Sequence, residues 1–304
     1  MMHNPPSLKS HMHLSVIAPA SAPRNPEDLK QGLSSLINDG YKLHWFPEKL
    51  NAQDYLSGSD SQRATQCNEA FTDSQHLIAI RGGYGCLRIL DQIDYDTAKS
   101  NPGIVIGFSD ITALQLSLYT HAGWKGISGV LVVEWHQISQ TMKHVIRKLL
   151  QGDVPKPITG LKTLRDGTCT GTLLGGNLST IVRMVGSKYL PCLDGKLLFI
   201  EDINEPPYRI DALLTQMKHA NILDQLGGLI VGRFTDHSSD DDLHQQMIIK
   251  DTIHRCTAGY SWPVVSDLNY GHFLPRSILP IGVTAKLTAH SSAGTLEILE
   301  PLTQ

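Results

Sequence analysis

Short apolar runs alternate with helix-length amphipathic stretches through the first 122 residues of the chain. The apolar runs are rich in Ile, Val and Leu, as buried strands are, and the stretches between them place apolar residues at helical spacing. Strands that alternate with helices build a parallel sheet that is covered on both faces. We therefore predict an α/β domain with strands at 14–18, 41–46, 76–80 and 103–106 and helices at 26–38 and 57–73.

The pattern changes beyond residue 152. Glycine and proline interrupt the chain from 153 to 174, as they do in connecting segments, and mixed strands and helices follow. The predicted strands of this second half are 196–200, 228–231 and 285–288, and its predicted helices are 178–185 and 207–226. We therefore predict a flexible tail (1–11), an N-terminal domain (12–152), a linker (153–174) and a C-terminal domain (175–304).

Composition and charge exclude several functions. Across 304 residues, 26 Lys and Arg stand against 29 Asp and Glu, without the basic excess of proteins that bind nucleic acids or anionic membranes. No apolar run approaches the ~20 residues that cross a bilayer. The five cysteines are odd in number and form no Cys-x-x-Cys pair, which argues against a disulfide framework and a thiolate zinc site. An acidic run between His237 and His244 is interpreted as a solvated loop, so we expect no metal.

The strongest local signal for chemistry surrounds Ser109. A buried strand is predicted to end at Gly107, and a helix begins just after the serine. A serine at a tight turn between strand and helix has the geometry of a nucleophile elbow, which exposes the hydroxyl beside the free N–H groups of the helix. The strict Gly-x-Ser-x-Gly pattern is absent, because residue 111 is Ile. The segment also fits a serine that only caps the helix, and both interpretations stay open here.

A glycine-rich segment, Arg81-Gly-Gly-Tyr-Gly85, follows the third predicted strand. Its glycines let the backbone approach a ligand closely, but its spacing matches neither a dinucleotide fingerprint nor a P-loop. Because it leaves the same edge of the sheet as Ser109, it can supply a second donor to an oxyanion; a plain turn is the alternative. Cys86 next to it is a weak candidate nucleophile, since its surroundings form no elbow.

An acid and a histidine complete a candidate set. Glu201 and Asp202 end an apolar strand, where a carboxylate can either orient a histidine or lie in solvent. Among 14 histidines, His272 is distinguished by a loop bordered by glycine and aromatic residues, although a surface role is the alternative. Ser109, Glu201 and His272 follow the order nucleophile, acid, base that many serine hydrolases share.

Taken together, the motifs resemble the LD-carboxypeptidases of serine peptidase family S66 and the related microcin C self-immunity hydrolases. The resemblance covers roughly residues 12–290, and its matching segments are 81–85, 107–114, 174–178, 199–203 with 207–211, and 270–272 with 279–282. It implies a flavodoxin-like N-terminal domain, a β-rich swivelling C-terminal domain and an active site between them. One departure is Ser128-Gly129-Val130, where the family pattern leads us to expect a Gly-Pro pair.

The resemblance also implies a function. Ser109 would be the nucleophile, His272 the general base and Glu201 the acid that orients it, in a cytoplasmic, cofactor-free enzyme that is often a homodimer. The family releases the terminal D-alanine from murein tetrapeptides during peptidoglycan recycling. For the acyl-transfer chemistry we place the oxyanion on the backbone N–H groups of Gly83 and Asp110.

A carboxypeptidase must also hold a free carboxylate, which arginine binds with two parallel hydrogen bonds. The sequence does not choose among the available arginines; we place Arg81 and Arg233, with Tyr84, in the substrate site, and the other candidates are Arg209 and Arg276.

Two rival functions stay open. An immunity hydrolase with the same three residues would act on peptide–nucleotide or acyl-adenylate substrates and would stack adenine on an aromatic ring. The tryptophans available for such stacking are Trp124, Trp135 and Trp262. The other rival is a catalytically silent two-domain protein that closes on peptides.

Overall fold

The computed structural model describes residues 5–7, 12–45, 52, 54–73, 76–235, 242–291 and 293–304. The strands are β1 Met12–Ile17, β2 Tyr41–Trp45, β3 His76–Ala79, β4 Ile104–Gly107, β5 Lys125–Ser128, β6 Ile158–Arg165, β7 Gly167–Asn177, β8 Leu197–Ile203, β9 Gly228–Thr235, β10 Val264–Ser266, β11 Leu279–Ile281, β12 Val283–His290 and β13 Ala293–Ile298. The α-helices are α1 Pro26–Asn38, α2 Asp60–Asp73, α3 Tyr95–Ser100, α4 Ile111–Ala122, α5 Gln140–Leu150, α6 Leu178–Arg183, α7 Pro207–His219, α8 Ile222–Gln225 and α9 Asp242–Thr257. Single 3₁₀ segments cover Cys86–Gln92 and Val132–Glu134.

The N-terminal sheet has the strand order β2-β1-β3-β4-β5, and all of these strands are parallel. This is the strand order of flavodoxin-like folds, so the predicted fold of the first domain is confirmed. A sixth strand, β11, comes from the C-terminal part of the chain and pairs antiparallel with β5. One edge strand of this sheet is therefore supplied by the C-terminal half of the chain.

The second half of the chain is built around a closed barrel with the strand order β10-β6-β13-β12-β7-β8-β9, in which β9 and β10 pair to complete the circle. Three adjacent strands of the barrel, β7, β8 and β9, run parallel, and helices connect them. The β-rich architecture predicted for this half is confirmed.

The segment predicted as a linker, 153–174, instead contains β6 and most of β7. Its glycines lie within the strands: Gly167, with φ of +150°, is the first residue of β7, and a Cβ on Gly171 would lie 2.2 Å from the Gly195 carbonyl oxygen. A second difference concerns the helix predicted at 207–226, which is divided into α7 and α8 at Asn221 (φ +57°). The predicted tail is described at 5–7, where the Ser7 N–H donates to the Gln304 carbonyl at 2.7 Å.

Helix α4 lies between the sheet and the barrel, and ten of its twelve residues are buried. On its sheet side, the Gln115 amide donates to the carbonyls of Val105 and Ile127 at 3.0 and 3.1 Å. On its barrel side, the Thr112 hydroxyl accepts the Asn177 N–H at 3.1 Å, and a Cβ on Gly176 would lie 2.3 Å from that hydroxyl. The helix that follows Ser109 is therefore fixed by both halves of the molecule. No helix in the described ranges combines the length and apolar character that crossing a bilayer requires.

Candidate active site

Ser109 occupies the turn between β4 and α4 with a left-handed backbone, at φ of +64°. The turn is compact because glycines flank it. A Cβ on Gly107 would lie 2.3 Å from the Ile111 side chain, and a Cβ on Gly82 would lie 2.9 Å from that of Ser109. The N-cap position of α4 belongs to Asp110, not to Ser109. The serine hydroxyl is therefore available for another partner.

That partner is His272. The Ser109 hydroxyl lies 3.1 Å from His272 Nε2, and His272 Nδ1 lies 2.7 Å from Glu201 Oε2. Because a carboxylate only accepts hydrogen bonds, Nδ1 carries the imidazole proton and Nε2 accepts from the serine. Glu201 is fully buried, and the His272 side chain is 16% exposed. The structure thus brings the three predicted residues into one hydrogen-bonded chain.

The imidazole of His272 is also held by ring packing. Phe108, the residue before the serine, lies 4.5 Å from the His272 ring between centroids, and its ring also meets Tyr270 edge-on at 5.6 Å. The Tyr270 hydroxyl in turn lies 2.6 Å from the Ser128 hydroxyl. Aromatic contacts from both halves of the chain therefore fix the loop that carries the histidine.

Arg276 anchors the same loop to the N-terminal domain. Its guanidinium is buried, donates to the Gly129 carbonyl at 2.7 Å and forms an ion pair with Glu134. It also lies 4.1 Å from the centre of the Phe108 ring. Every one of these contacts is structural, so Arg276 is not a substrate-binding arginine.

Sequence reasoning gave no role to Asn177, which joins the two carboxyl groups at the end of β8. Its side-chain amide donates to Glu201 Oε1 at 3.3 Å and to Asp202 Oδ1 at 2.7 Å, and its oxygen caps α6 by accepting the Thr180 N–H at 3.0 Å. The available signal was the position of Asn177 after two glycines and before a helix. Asn177 therefore fixes the Glu201 oxygen that does not face His272.

Comparison with known proteins shows where this arrangement belongs. Residues 14–129 match the family model described as the LD-carboxypeptidase N-terminal domain, and residues 170–287 match the LD-carboxypeptidase C-terminal domain. The chain belongs to the LD-carboxypeptidase family. A Synechocystis protein named as a carboxypeptidase is 31% identical to this family member over 288 residues, which cover 94% of each chain.

Solved structures agree with this assignment. A muramoyltetrapeptide carboxypeptidase from Oxalobacter formigenes matches with a TM-score of 0.83 at 27% identity and covers 94% of this chain and 98% of its own. The microcin C7 self-immunity protein MccF, solved with aspartyl sulfamoyl adenosine, matches with a TM-score of 0.84 at 20% identity over 99% of both chains. Because the identity with MccF is only 20%, this second similarity shows a shared fold and nothing more. The family predicted from the motifs is confirmed.

The two backbone N–H groups expected to hold an oxyanion lie on either side of the serine in this LD-carboxypeptidase-family chain. Gly83 directly follows Gly82, which packs against Ser109, and Asp110 directly follows Ser109. Within the described part of the chain, no hydrogen bond is formed by either N–H group. The Asp110 carboxylate accepts the Cys86 N–H at 2.8 Å, and burial raises the pKa of the Cys86 thiol well above its usual range. Cys86 is thus a buried neutral thiol and not a nucleophile.

The arginines and aromatic residues predicted to bind substrate do not lie together: they are found in two cavities, on the surface and in the core. Arg81 and Tyr84 line a cavity of about 780 Å³ beside the serine loop. Arg233 lines a second cavity, of about 330 Å³, with its guanidinium 5.4 Å from the Phe273 ring. Arg209 is exposed and pairs with Glu205 at 3.4 Å. The three tryptophans considered for adenine stacking are all buried in the core: Trp124, Trp135 and Trp262.

No cluster of three or more metal-ligating side chains occurs in the described ranges. His237 and residues 238–241 of the acidic run, predicted to be a solvated loop, lie outside those ranges, and Asp242 begins α9.

The left-handed backbone of Ser109 predicts an unusual effect on stability. An L-residue at positive φ costs about 1–2 kcal/mol, and glycine removes that cost at the expense of a more flexible unfolded chain. We expect Ser109→Gly to have a free energy of unfolding about 1 kcal/mol above that of Ser109→Ala in urea titrations. Both variants lack the hydroxyl, so their difference isolates the backbone. A more stable alanine variant would contradict the strained turn.

Asp202 predicts a pH dependence of stability. Burial, together with the neighbouring Glu201, raises the pKa of Asp202 to about 6. Between about pH 4 and pH 6 the folded state therefore holds a proton that the unfolded state has released, so the free energy of unfolding falls as pH rises through this window. Across this pH window, we expect the free energy of unfolding of wild type to fall by about 3 kcal/mol relative to that of Asp202→Asn. Urea titrations of both proteins at several pH values measure the difference, and parallel curves would contradict it.

Proposed function

We propose that this chain is a serine-type L,D-carboxypeptidase that releases the terminal D-alanine from murein tetrapeptides in peptidoglycan recycling. The observation that carries the proposal is the hydrogen-bonded chain from Ser109 through His272 to Glu201, with the serine on a tight turn at the start of α4. The family assignment supports hydrolysis, and the related structure from Oxalobacter formigenes supports the murein peptide as substrate.

The proposed reaction is acyl transfer in two halves. His272 Nε2 takes the Ser109 proton as Oγ attacks the carbonyl carbon before D-alanine, and the oxyanion forms between the N–H groups of Gly83 and Asp110. The imidazolium then protonates the leaving nitrogen as the C–N bond breaks, which frees D-alanine and leaves an ester on Ser109. Water repeats the sequence: His272 takes its proton as the water oxygen bonds to the ester carbon, the C–O bond to Ser109 breaks, and Ser109 regains a hydrogen from His272 as the tripeptide leaves.

Each group in this scheme has a structural reason to act as assigned. Glu201 holds the Nδ1–H tautomer, so the lone pair of Nε2 faces the serine. Burial of Glu201 strengthens its attraction for the imidazolium that forms during the reaction. Backbone donors such as the two N–H groups typically contribute ~10²–10³ in rate each.

The cellular setting is part of the same proposal. The resemblance to the family leads us to place the enzyme in the cytoplasm, acting without a cofactor and as a homodimer. Cell fractionation tests the location, and light scattering of the purified chain tests the oligomeric state.

The direct test is product analysis by mass spectrometry. The purified protein is incubated with L-Ala-γ-D-Glu-meso-diaminopimelate-D-Ala, and release of D-alanine with formation of the tripeptide is the expected result. The matched control is the tetrapeptide that ends in L-alanine, which we expect to be cleaved far more slowly. A fluorophosphonate probe should also label Ser109. An intact protein that neither labels nor cleaves would support the silent peptide binder instead.

A second candidate is the hydrolysis of acyl-adenylate or peptide–nucleotide antibiotics. It is favoured by an aromatic pair in the cavity beside Ser109: Tyr55 and Tyr84 are 56% and 43% exposed, with ring centroids 5.7 Å apart. An exposed ring at this place can stack on a nucleobase. Parallel assays of the tetrapeptide and of an aminoacyl sulfamoyl adenosine compare the two functions, and faster cleavage of the adenosine derivative would replace the murein assignment.

A further inference from the structure

Two arginines share the cavity beside the serine loop. The cavity of about 780 Å³ is lined by Arg24 and Arg81 on one side of the sheet edge, together with Gly83 and the tyrosine pair Tyr55 and Tyr84. It lies next to the proposed nucleophile, because Gly82 packs against Ser109 and the next residue lines the cavity. A ligand group bound here would belong to a molecule whose carbonyl lies at the serine.

Arg81 is oriented by the protein without being neutralised by it. The guanidinium is partly buried, and one of its nitrogens donates to the Ala22 carbonyl. Burial and the charge of the nearby Arg24 lower the pKa of Arg81. This contact fixes one edge of the planar group and leaves its other donors for a ligand.

Neither arginine has a carboxylate partner among the described residues. Asp54 lines the same cavity but forms no ion pair with either of them. Several other arginines do have such a partner: Arg63 and Arg88 share Asp60, and Arg276 pairs with Glu134. A partly buried cation beside a second cation is unfavourable unless an anion joins them.

The wall of the cavity next to these cations is rigid. The Ser21 hydroxyl accepts the Tyr84 N–H at 3.1 Å, and the Ser21 N–H donates to the Gly82 carbonyl at 3.2 Å. A Cβ on Gly83 would lie 2.5 Å from the Ser21 hydroxyl, so only glycine fits there. Ser21 therefore joins the segment that carries Arg24 to the loop that carries Arg81.

We propose that Arg24 and Arg81 together bind a free carboxylate of the substrate and thereby select anionic peptides at this site. The inference rests on the proposed function, because the peptide is a murein tetrapeptide. Three free carboxylates of that peptide share the required chemistry: that of the terminal D-alanine, the α-carboxylate of the glutamyl residue and the carboxylate at the D-centre of diaminopimelate. Bidentate binding by arginine suits any of the three.

Calorimetry with peptides that differ in one carboxylate tests this assignment. Ser109→Ala prevents turnover, and in that background the dissociation constant is measured for the tetrapeptide and for three peptides that are each amidated at one position: the C-terminus, the glutamyl α-carboxylate or the D-centre carboxylate of diaminopimelate. We expect one of the three amides to bind ~10-fold or more weakly than the acid. Which amide binds weakly identifies the carboxylate.

The arginines are then removed in the same background. Arg24→Gln and Arg81→Gln should each weaken binding of the acid ~10-fold or more and leave binding of the weak amide nearly unchanged. Arg24→Lys should restore part of the loss, because the charge is kept. Arg24 is exposed, so its variants keep the test valid if Arg81→Gln does not fold. Arg209→Gln, an exposed arginine outside the cavity, is the matched control.

Equal affinity for the acid and all three amides, or no measurable binding of the tetrapeptide, would overturn the inference. So would arginine variants that weaken the acid and the amide alike. Fluorophosphonate labelling of Ser109 and tetrapeptide cleavage by wild type are measured in parallel. Normal labelling and cleavage with equal affinities would refute the carboxylate site alone, whereas their absence would refute the proposed function.

Discussion

Ser109→Ala is expected to reduce turnover of the tetrapeptide by ~10⁴- to 10⁶-fold while the protein stays folded. The hydroxyl is the only group of the proposed triad that forms a bond to substrate, and alanine offers no replacement. The Cβ remains in place against Gly82, so the packing of the turn is preserved. Steady-state kinetics and fluorophosphonate labelling, followed by intact mass, should both show the loss.

Ser128→Ala is the matched control for this result. It removes a buried serine hydroxyl that forms a hydrogen bond with Tyr270, whose ring packs against Phe108, but it does not touch the imidazole of His272. We expect labelling at Ser109 and turnover within ~10-fold of wild type. Ser109→Ala with turnover in that same range would refute acyl transfer through this serine.

The sequence was most informative where function is encoded within a short segment. The strand, turn and helix around Ser109 follow from local hydrophobic pattern and one glycine, and the parallel order of the first domain follows from alternating strands and helices. The glycine-rich loop could likewise be assigned to the same sheet edge as the serine. Local patterns thus predict both the serine turn and the glycine-rich loop that packs against it.

Contacts between segments that are distant in sequence could not be predicted from local patterns. Strand β11 has three residues and pairs with β5, which lies about 150 positions earlier in the chain, so neither length nor pattern could reveal it. Strand β6 is predicted to be part of a linker because only Leu161 of its eight residues is buried. An apolar alternation, the usual signal of a strand, is therefore missing there.

The same limit applies to the residues that support the site. Asn177 and Arg276 act through partners far away in sequence: Asn177 bonds to residues at the end of β8, and Arg276 bonds to the segment after β5. The sequence assigns no role to Asn177, and it places Arg276 among the candidates for substrate binding. Side chains of this kind are identified by their contacts, which only the folded structure supplies.

Glu201→Gln is expected to lower turnover by ~10⁴-fold although it changes one atom. The reason lies with Asn177, whose amide donates to Glu201 Oε1. In the variant, the glutamine carbonyl must accept that hydrogen bond, so the glutamine NH₂ faces His272 Nδ1. A donor at this position forces the imidazole proton onto Nε2, and the imidazole can then no longer accept the Ser109 proton.

Asp202→Asn separates this tautomer effect from a general loss of charge. Asp202 is buried beside Glu201 and shares the Asn177 amide, but it makes no contact with His272. We expect this variant to keep turnover within ~10-fold of wild type, because the His272 tautomer is unchanged. The measurement is kcat for both variants, with the Nδ1 and Nε2 proton resonances of His272 followed by NMR. Equal losses in the two variants, or a Glu201→Gln protein that keeps its proton on Nδ1, would show that the buried carboxylate does not act by orienting the base.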